Sequence, residues 1–137
     1  MPKMSERLRI LLLSDQEQAR GFLRETLAKH LDVATARDIE ELVSLLKSSS
    51  FDAFLCDWDC PENTWREICR EVKGSHPDLP IIVVCRMCRS GGEREWVEVL
   101  EAGCFDLACA PYSVRMILSI IEHAVASRQG CVLRSIA

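Results

Sequence analysis

Two aspartates stand just after apolar runs in this chain: Asp15 follows RILLLS and Asp57 follows FDAFLC, and the stretch beyond the second reads D-W-D-C-P. A carboxylate at the end of a buried strand serves either as a turn or capping group or as a working group in the crevice beyond the sheet. Eight cysteines accompany them. Cys56, Cys60, Cys85, Cys88 and Cys109 all fall at the carboxyl ends of predicted strands, and Cys85-Arg-Met-Cys88 is a C-x-x-C. A thiolate zinc site or a redox pair is therefore a second chemistry open to the same region. Cys69, Cys104 and Cys131 lie elsewhere, which suits cysteine used as a small hydrophobe. His30, His76 and His123 are too scattered to share a site. No G-x-G-x-x-G, G-x-x-x-x-G-K-[ST] or G-x-S-x-G occurs, so nucleotide-binding and hydrolase readings lack support.

For these groups to meet, the elements must deliver them to one edge. Residues 8–13 are apolar except for one Arg, the pattern of a strand buried on both faces, and Ser14-Asp15 closes it. Over 17–30, Ala19, Phe22, Leu23, Leu27 and Ala28 recur at three- and four-residue steps, which predicts an amphipathic helix. A short strand follows over 32–34. Asp38 caps a second helix reaching about Lys47, with Ile39, Leu42, Val43, Leu45 and Leu46 on its buried side. Residues 51–57 form the next buried strand, which the loop 58–63 with Pro61 cannot continue. A third helix over 64–73 stops at Gly74 and Pro77. The run PIIVVC over 80–85 is rich in β-branched residues, as suits the middle of a parallel sheet. Ser90-Gly91-Gly92 opens a fourth helix to Ala102, with Gly103 as its left-handed stop. A fifth strand over 105–109 is broken by Pro111, and Ser113 caps a last helix to about Ser127. Residues 6–127 thus make one domain, and 128–137 a tail or the start of a linker.

Five strands alternating with five helices predict right-handed crossovers and an α/β, doubly wound, five-stranded parallel sheet with helices on both faces. The length of 137 residues fits a single core of this kind. Its 17 basic and 21 acidic residues interleave to a net charge of -4, leaving no basic stripe for a nucleic acid. The N-terminus lacks both a signal-peptide core and a membrane span, so the expected location is cytoplasmic, with no membrane partner.

At the strand ends the sequence resembles the receiver domain of bacterial two-component response regulators, over about 8–127. RILLLSDQEQAR is similar to the family's first strand with its acidic pair, Arg20 standing at the usual place in the first helix. FDAFLCDWDCP resembles the phosphoacceptor segment, DLPIIVV the fourth strand, and EAGCFDLACAPY the fifth strand with its preceding glycine and following proline. The resemblance implies a flavodoxin-like fold, as in chemotaxis regulators, and a signalling role with no enzymatic one. It implies Asp57 as phosphoacceptor, with Mg²⁺ held by Asp15, Asp57 and the backbone carbonyl of Asp59. It further implies a sensor histidine kinase or phosphotransfer protein as partner, and a homodimer through the helix-4/strand-5/helix-5 face. Two carboxylates ~4 Å apart repel by about 4 kcal/mol at an effective dielectric near 20, which a divalent cation relieves.

Four positions depart from the family pattern and make this an atypical member. The first acid of the pair is Ser14, which lowers the charge of the metal site. The hydroxyl residue ending strand four is Cys85, a weaker donor to a phosphoryl oxygen. The lysine before the last loop proline is Ala110, so its charge-assisted hydrogen bond, worth roughly 1.5–3 kcal/mol, is missing. The aromatic switch position is Leu107. The expectation is weak phosphorylation of Asp57 or phosphorylation-independent protein binding, with Asp59 available to replace the lost acid. Trp58 is expected to pack on the third helix, and Trp65 and Trp96 to serve packing or a partner surface.

Overall fold

A computed structural model of the chain describes residues 7–58, 64–86, 92–110 and 113–136. The runs read as buried become five strands, β1 (Arg9–Leu13), β2 (Asp32–Ala36), β3 (Ala53–Asp57), β4 (Ile81–Cys85) and β5 (Asp106–Cys109). Between and after them lie α1 (Glu17–Leu27), α2 (Ile39–Ser48), α3 (Trp65–Ser75), α4 (Glu93–Glu101) and α5 (Val114–Ile136). The strands pair in parallel in the order β2-β1-β3-β4-β5, so the order reverses between β1 and β3. This is the expected doubly wound sheet, and all five carboxyl ends lie on one edge.

Alternate residues of each strand feed two cores. Leu11, Leu13, Phe54, Cys56, Ile81 and Val83 face α2, α3 and α4, whose Leu42, Leu46, Ile68, Val72 and Val99 cover them. Ile10, Leu12, Leu55, Ile82 and Val84 face the other way, against Leu23 and Leu27 of α1 and Ile117 and Ile121 of α5. β3 and β4 are buried along their whole length, which is why their sequences are apolar runs rather than alternations. Helices on both faces make every one of their side chains a core residue except Asp57 at the end of β3.

The punctuation acts locally as the residue types require. Asp38 accepts a hydrogen bond from the Glu41 backbone N–H at 2.9 Å, and Ser113 Oγ accepts one from Met116 at 3.1 Å. Gly103 ends the fourth helical segment at φ +88°, the left-handed conformation that lacks a Cβ penalty only in glycine. Five boundaries differ from the sequence expectation by two residues or more: α1 ends at Leu27 rather than His30, and α3 runs through Gly74 to Ser75, since a glycine weakens a helix without having to end it. β2 runs two residues further, because backbone pairing with β1 continues to Leu13↔Ala36 where the apolar signal fades. β3 begins at Ala53, since Asp52 uses its side chain to accept the Arg9 N–H at 2.8 Å. α5 continues to Ile136, well past Ser127: its helical hydrogen bonding needs no apolar stripe, and no proline interrupts it. No helix among the described residues is long and apolar enough to cross a membrane.

Candidate functional site

The reversal between β1 and β3 opens a crevice at the carboxyl edge, and the last residue of β3, Asp57, lies in it with only 4% of its surface exposed. Parallel pairing holds it there: Asp57 is in register with Val84 of β4, and the following residue, Trp58, donates its N–H to the Val84 carbonyl at 2.9 Å. Ser14, directly after β1 and fully buried, donates its hydroxyl to Asp57 Oδ2 at 2.9 Å. Its own oxygen accepts the Gln16 N–H at 3.3 Å, and its carbonyl accepts Arg20 Nη1 at 2.8 Å. Arg20 therefore orients the β1–α1 turn through the backbone. A buried carboxylate needs such donors, since removing it from water is costly unless it is hydrogen-bonded or paired.

A cation also reaches the site, one that no sequence pattern had singled out. Arg86, the residue after β4, places Nη2 at 3.8 Å from Asp57 Oδ2, with about a third of its side chain in solvent (32%). At that separation and an effective dielectric near 20, the gross attraction is about 4 kcal/mol before desolvation is subtracted. The only sequence signal was a charged residue ending an otherwise buried run, IIVVCR.

The other expected participants divide. Asp15 is at the same edge but exposed, beyond Ser14. Asp59, Cys60 and Cys88 lie outside the described residues. Ala110 holds the expected place beside β4, its N–H donated to the Cys85 carbonyl at 2.9 Å, and Leu107 is buried within the core. Among the described residues no group of three or more His, Cys, Asp or Glu side chains converges to hold a metal. With one buried carboxylate, a hydroxyl and a guanidinium gathered at Oδ2, the described donors fit a resident Mg²⁺ poorly.

Cys56, Cys85 and Cys109 all lie on the α2–α4 side of the sheet, the first two buried in that core and the third packed against it. Cys85 and Cys109 are register partners across β4 and β5; Cys109 is disulfide-bonded, whereas Cys56, Cys69, Cys85 and Cys104 are reduced. The other half of that disulfide lies outside the described residues. Cys56 points away from the crevice into the α2–α4 core, where it meets Cys69 and Cys104. At Cys104, the hydrogen bond with Cys69 and then burial push the thiol far above its ordinary range. At Cys69, the hydrogen bond with Cys104 favours the thiolate, but the bond with Cys56 and burial outweigh it and push this thiol up as well. Protonated, buried thiols are poor nucleophiles and poor metal ligands, so Cys69 and Cys104 pack the core, with the buried Cys56 beside them.

Trp58 stacks on Trp65 with ring centroids 4.9 Å apart and planes 29° from parallel, so it packs on α3 as expected. Trp65 is buried, while Trp96 of α4 is exposed beside Val97 and Leu100.

The family model for the response regulator receiver domain matches residues 10–122. The chain is 25% identical to response regulator protein PilR of Pseudomonas aeruginosa over 123 residues, covering 89% of this chain and 27% of PilR. It is 30% identical to response regulator MprA of Mycobacterium tuberculosis over 113 residues, covering 82% of this chain and 48% of MprA. The chain thus spans about half or less of the length of these relatives. In structure it is similar to a response regulator receiver domain protein from Clostridium thermocellum, with a TM-score of 0.77 at 20% identity, over 89% of this chain and 97% of that one.

Proposed function

The chain belongs to the response regulator receiver domain family, and from that premise we propose that it is an atypical receiver whose Asp57 accepts a phosphoryl group slowly or serves protein binding without one. The observation that carries this reading is the Asp57 carboxylate at the strand-order reversal, hydrogen-bonded by Ser14 and faced by Arg86. Slow transfer follows from the weakened apparatus at Ser14, Cys85, Ala110 and Leu107. Receiver domains typically bind Mg²⁺ at the phosphorylation site. Here Asp57, Asp15 and the Asp59 carbonyl are the groups that would contribute, and affinity is low because Ser14 brings no charge.

A sensor histidine kinase or phosphotransfer protein is the proposed partner, in the cytoplasm. The domain works as a signalling module, without catalysis of its own turnover. The exposed Trp96, Val97 and Leu100 support self-pairing through the α4, β5 and α5 face. The test is incubation with acetyl phosphate and intact-protein mass spectrometry: a single phosphoryl adduct is expected on the wild type and none on Asp57→Asn. An adduct that survives in Asp57→Asn rejects Asp57 as acceptor.

A redox reading remains as the second, favoured by the disulfide at Cys109 on the same edge. Thiol titration in denaturant without reductant should then count two fewer than the eight cysteines. A full count of eight removes that reading.

A further inference from the structure

We propose that Arg86 is the built-in counter-cation of Asp57, holding the charge position that a divalent cation would take and leaving the crevice compensated without metal. The inference rests on the reading of Asp57 as the working carboxylate and deepens it.

Three features converge. Arg86 leaves β4 two residues after Val84, the register partner of Asp57, so the sheet itself sets the guanidinium beside the carboxylate. The oxygen that Nη2 faces at 3.8 Å is the same Oδ2 that receives the Ser14 hydroxyl at 2.9 Å. One positive charge and one hydrogen-bond donor therefore already converge on the oxygen a cation would need. Finally, the serine at position 14 brings no negative charge and Asp15 is exposed, so among the described residues the buried carboxylate that Arg86 faces at this edge is that of Asp57.

Arginine suits the task better than lysine. Its guanidinium is always charged, weakly hydrated, and able to bridge two acceptor oxygens at once. A side chain about one-third exposed keeps one side open to an arriving anion. An oxyanion bound against Asp57 would thus meet Arg86 first, and its binding would need no Mg²⁺.

The experiment uses the full chain, its Arg86→Ala and Arg86→Lys variants, and Trp58 fluorescence with calorimetry as readouts. Folding of each variant is checked by circular dichroism. Mg²⁺ titration should be weak in wild type and in Arg86→Lys, and about tenfold or more tighter in Arg86→Ala, where the competing positive charge is gone. Beryllofluoride should bind wild type equally with Mg²⁺ or with EDTA, and bind Arg86→Ala only with Mg²⁺. Superimposable Mg²⁺ titrations of wild type and Arg86→Ala overturn the proposal, as does beryllofluoride binding to wild type that EDTA abolishes. Tighter Mg²⁺ binding by Arg86→Ala, with no phosphoryl adduct from acetyl phosphate on any variant, upholds the counter-cation and rejects the phosphoacceptor reading instead.

Discussion

If the Ser14 hydroxyl is what makes a buried Asp57 tolerable, deleting it must destabilise the fold by an amount that depends on Asp57 being there. The bond is 2.9 Å long, and Ser14 is fully buried, so no water can replace the donor without rearrangement. Hydrogen bonds to charged groups contribute about 1.5–3 kcal/mol, and Ser14→Ala should cost that much in urea unfolding. Asp57→Ala removes the acceptor and relieves the burden of a buried charge, so in that background Ser14→Ala should cost about 1 kcal/mol less or better, a coupling that a double-mutant cycle isolates. Urea melts of the four proteins, followed by Trp fluorescence and circular dichroism, supply the numbers. Additivity within about 0.5 kcal/mol would refute the argument, because sites without an interaction add to that tolerance.

Gly103→Ala places a Cβ on a residue at φ +88°, with Lys73 Cε 2.9 Å away; the lysine tip can move, so the backbone penalty of about 1–2 kcal/mol should dominate the loss in urea stability. Asp38→Ala deletes the acceptor for the Glu41 N–H and should cost about 0.5–2 kcal/mol, read by the same melts. The raised thiols of Cys69 and Cys104 predict the alkaline limb of stability. Above their ordinary value of 9.0 the unfolded thiols lose protons while the folded ones keep them, so the unfolded state binds fewer protons and stability falls as pH rises. Each thiol contributes a slope of about 1.4 kcal/mol per pH unit there, and Cys104→Ala should make the decline visibly shallower in melts between pH 8 and about 10.

The fold was legible because its signals are local. The apolar runs before Asp15, at FDAFLC and at PIIVVC, the Asp38 and Ser113 caps, and the Gly103 stop each act within a few residues, and each appears in the structure as the sequence implies. Boundaries were less legible where backbone pairing or helical hydrogen bonding runs on without an apolar signal, as at the ends of β2 and α5.

For the site, the sequence alone determined the strand that delivers Asp57 and the neutral residue at position 14. It placed Cys56 and Asp57 side by side near one edge but did not show how their surroundings differ: a one-residue step in a strand reverses the face. Cys56 turns into the core to join Cys69 and Cys104, residues 13 and 48 positions further on, while its neighbour Asp57 opens on the crevice. Only the tertiary structure decided who meets Asp57. Ser14 and Arg86 come from strands on either side of β3, and parallel register, which no local pattern encodes, is what brings a hydroxyl and a guanidinium to the same oxygen.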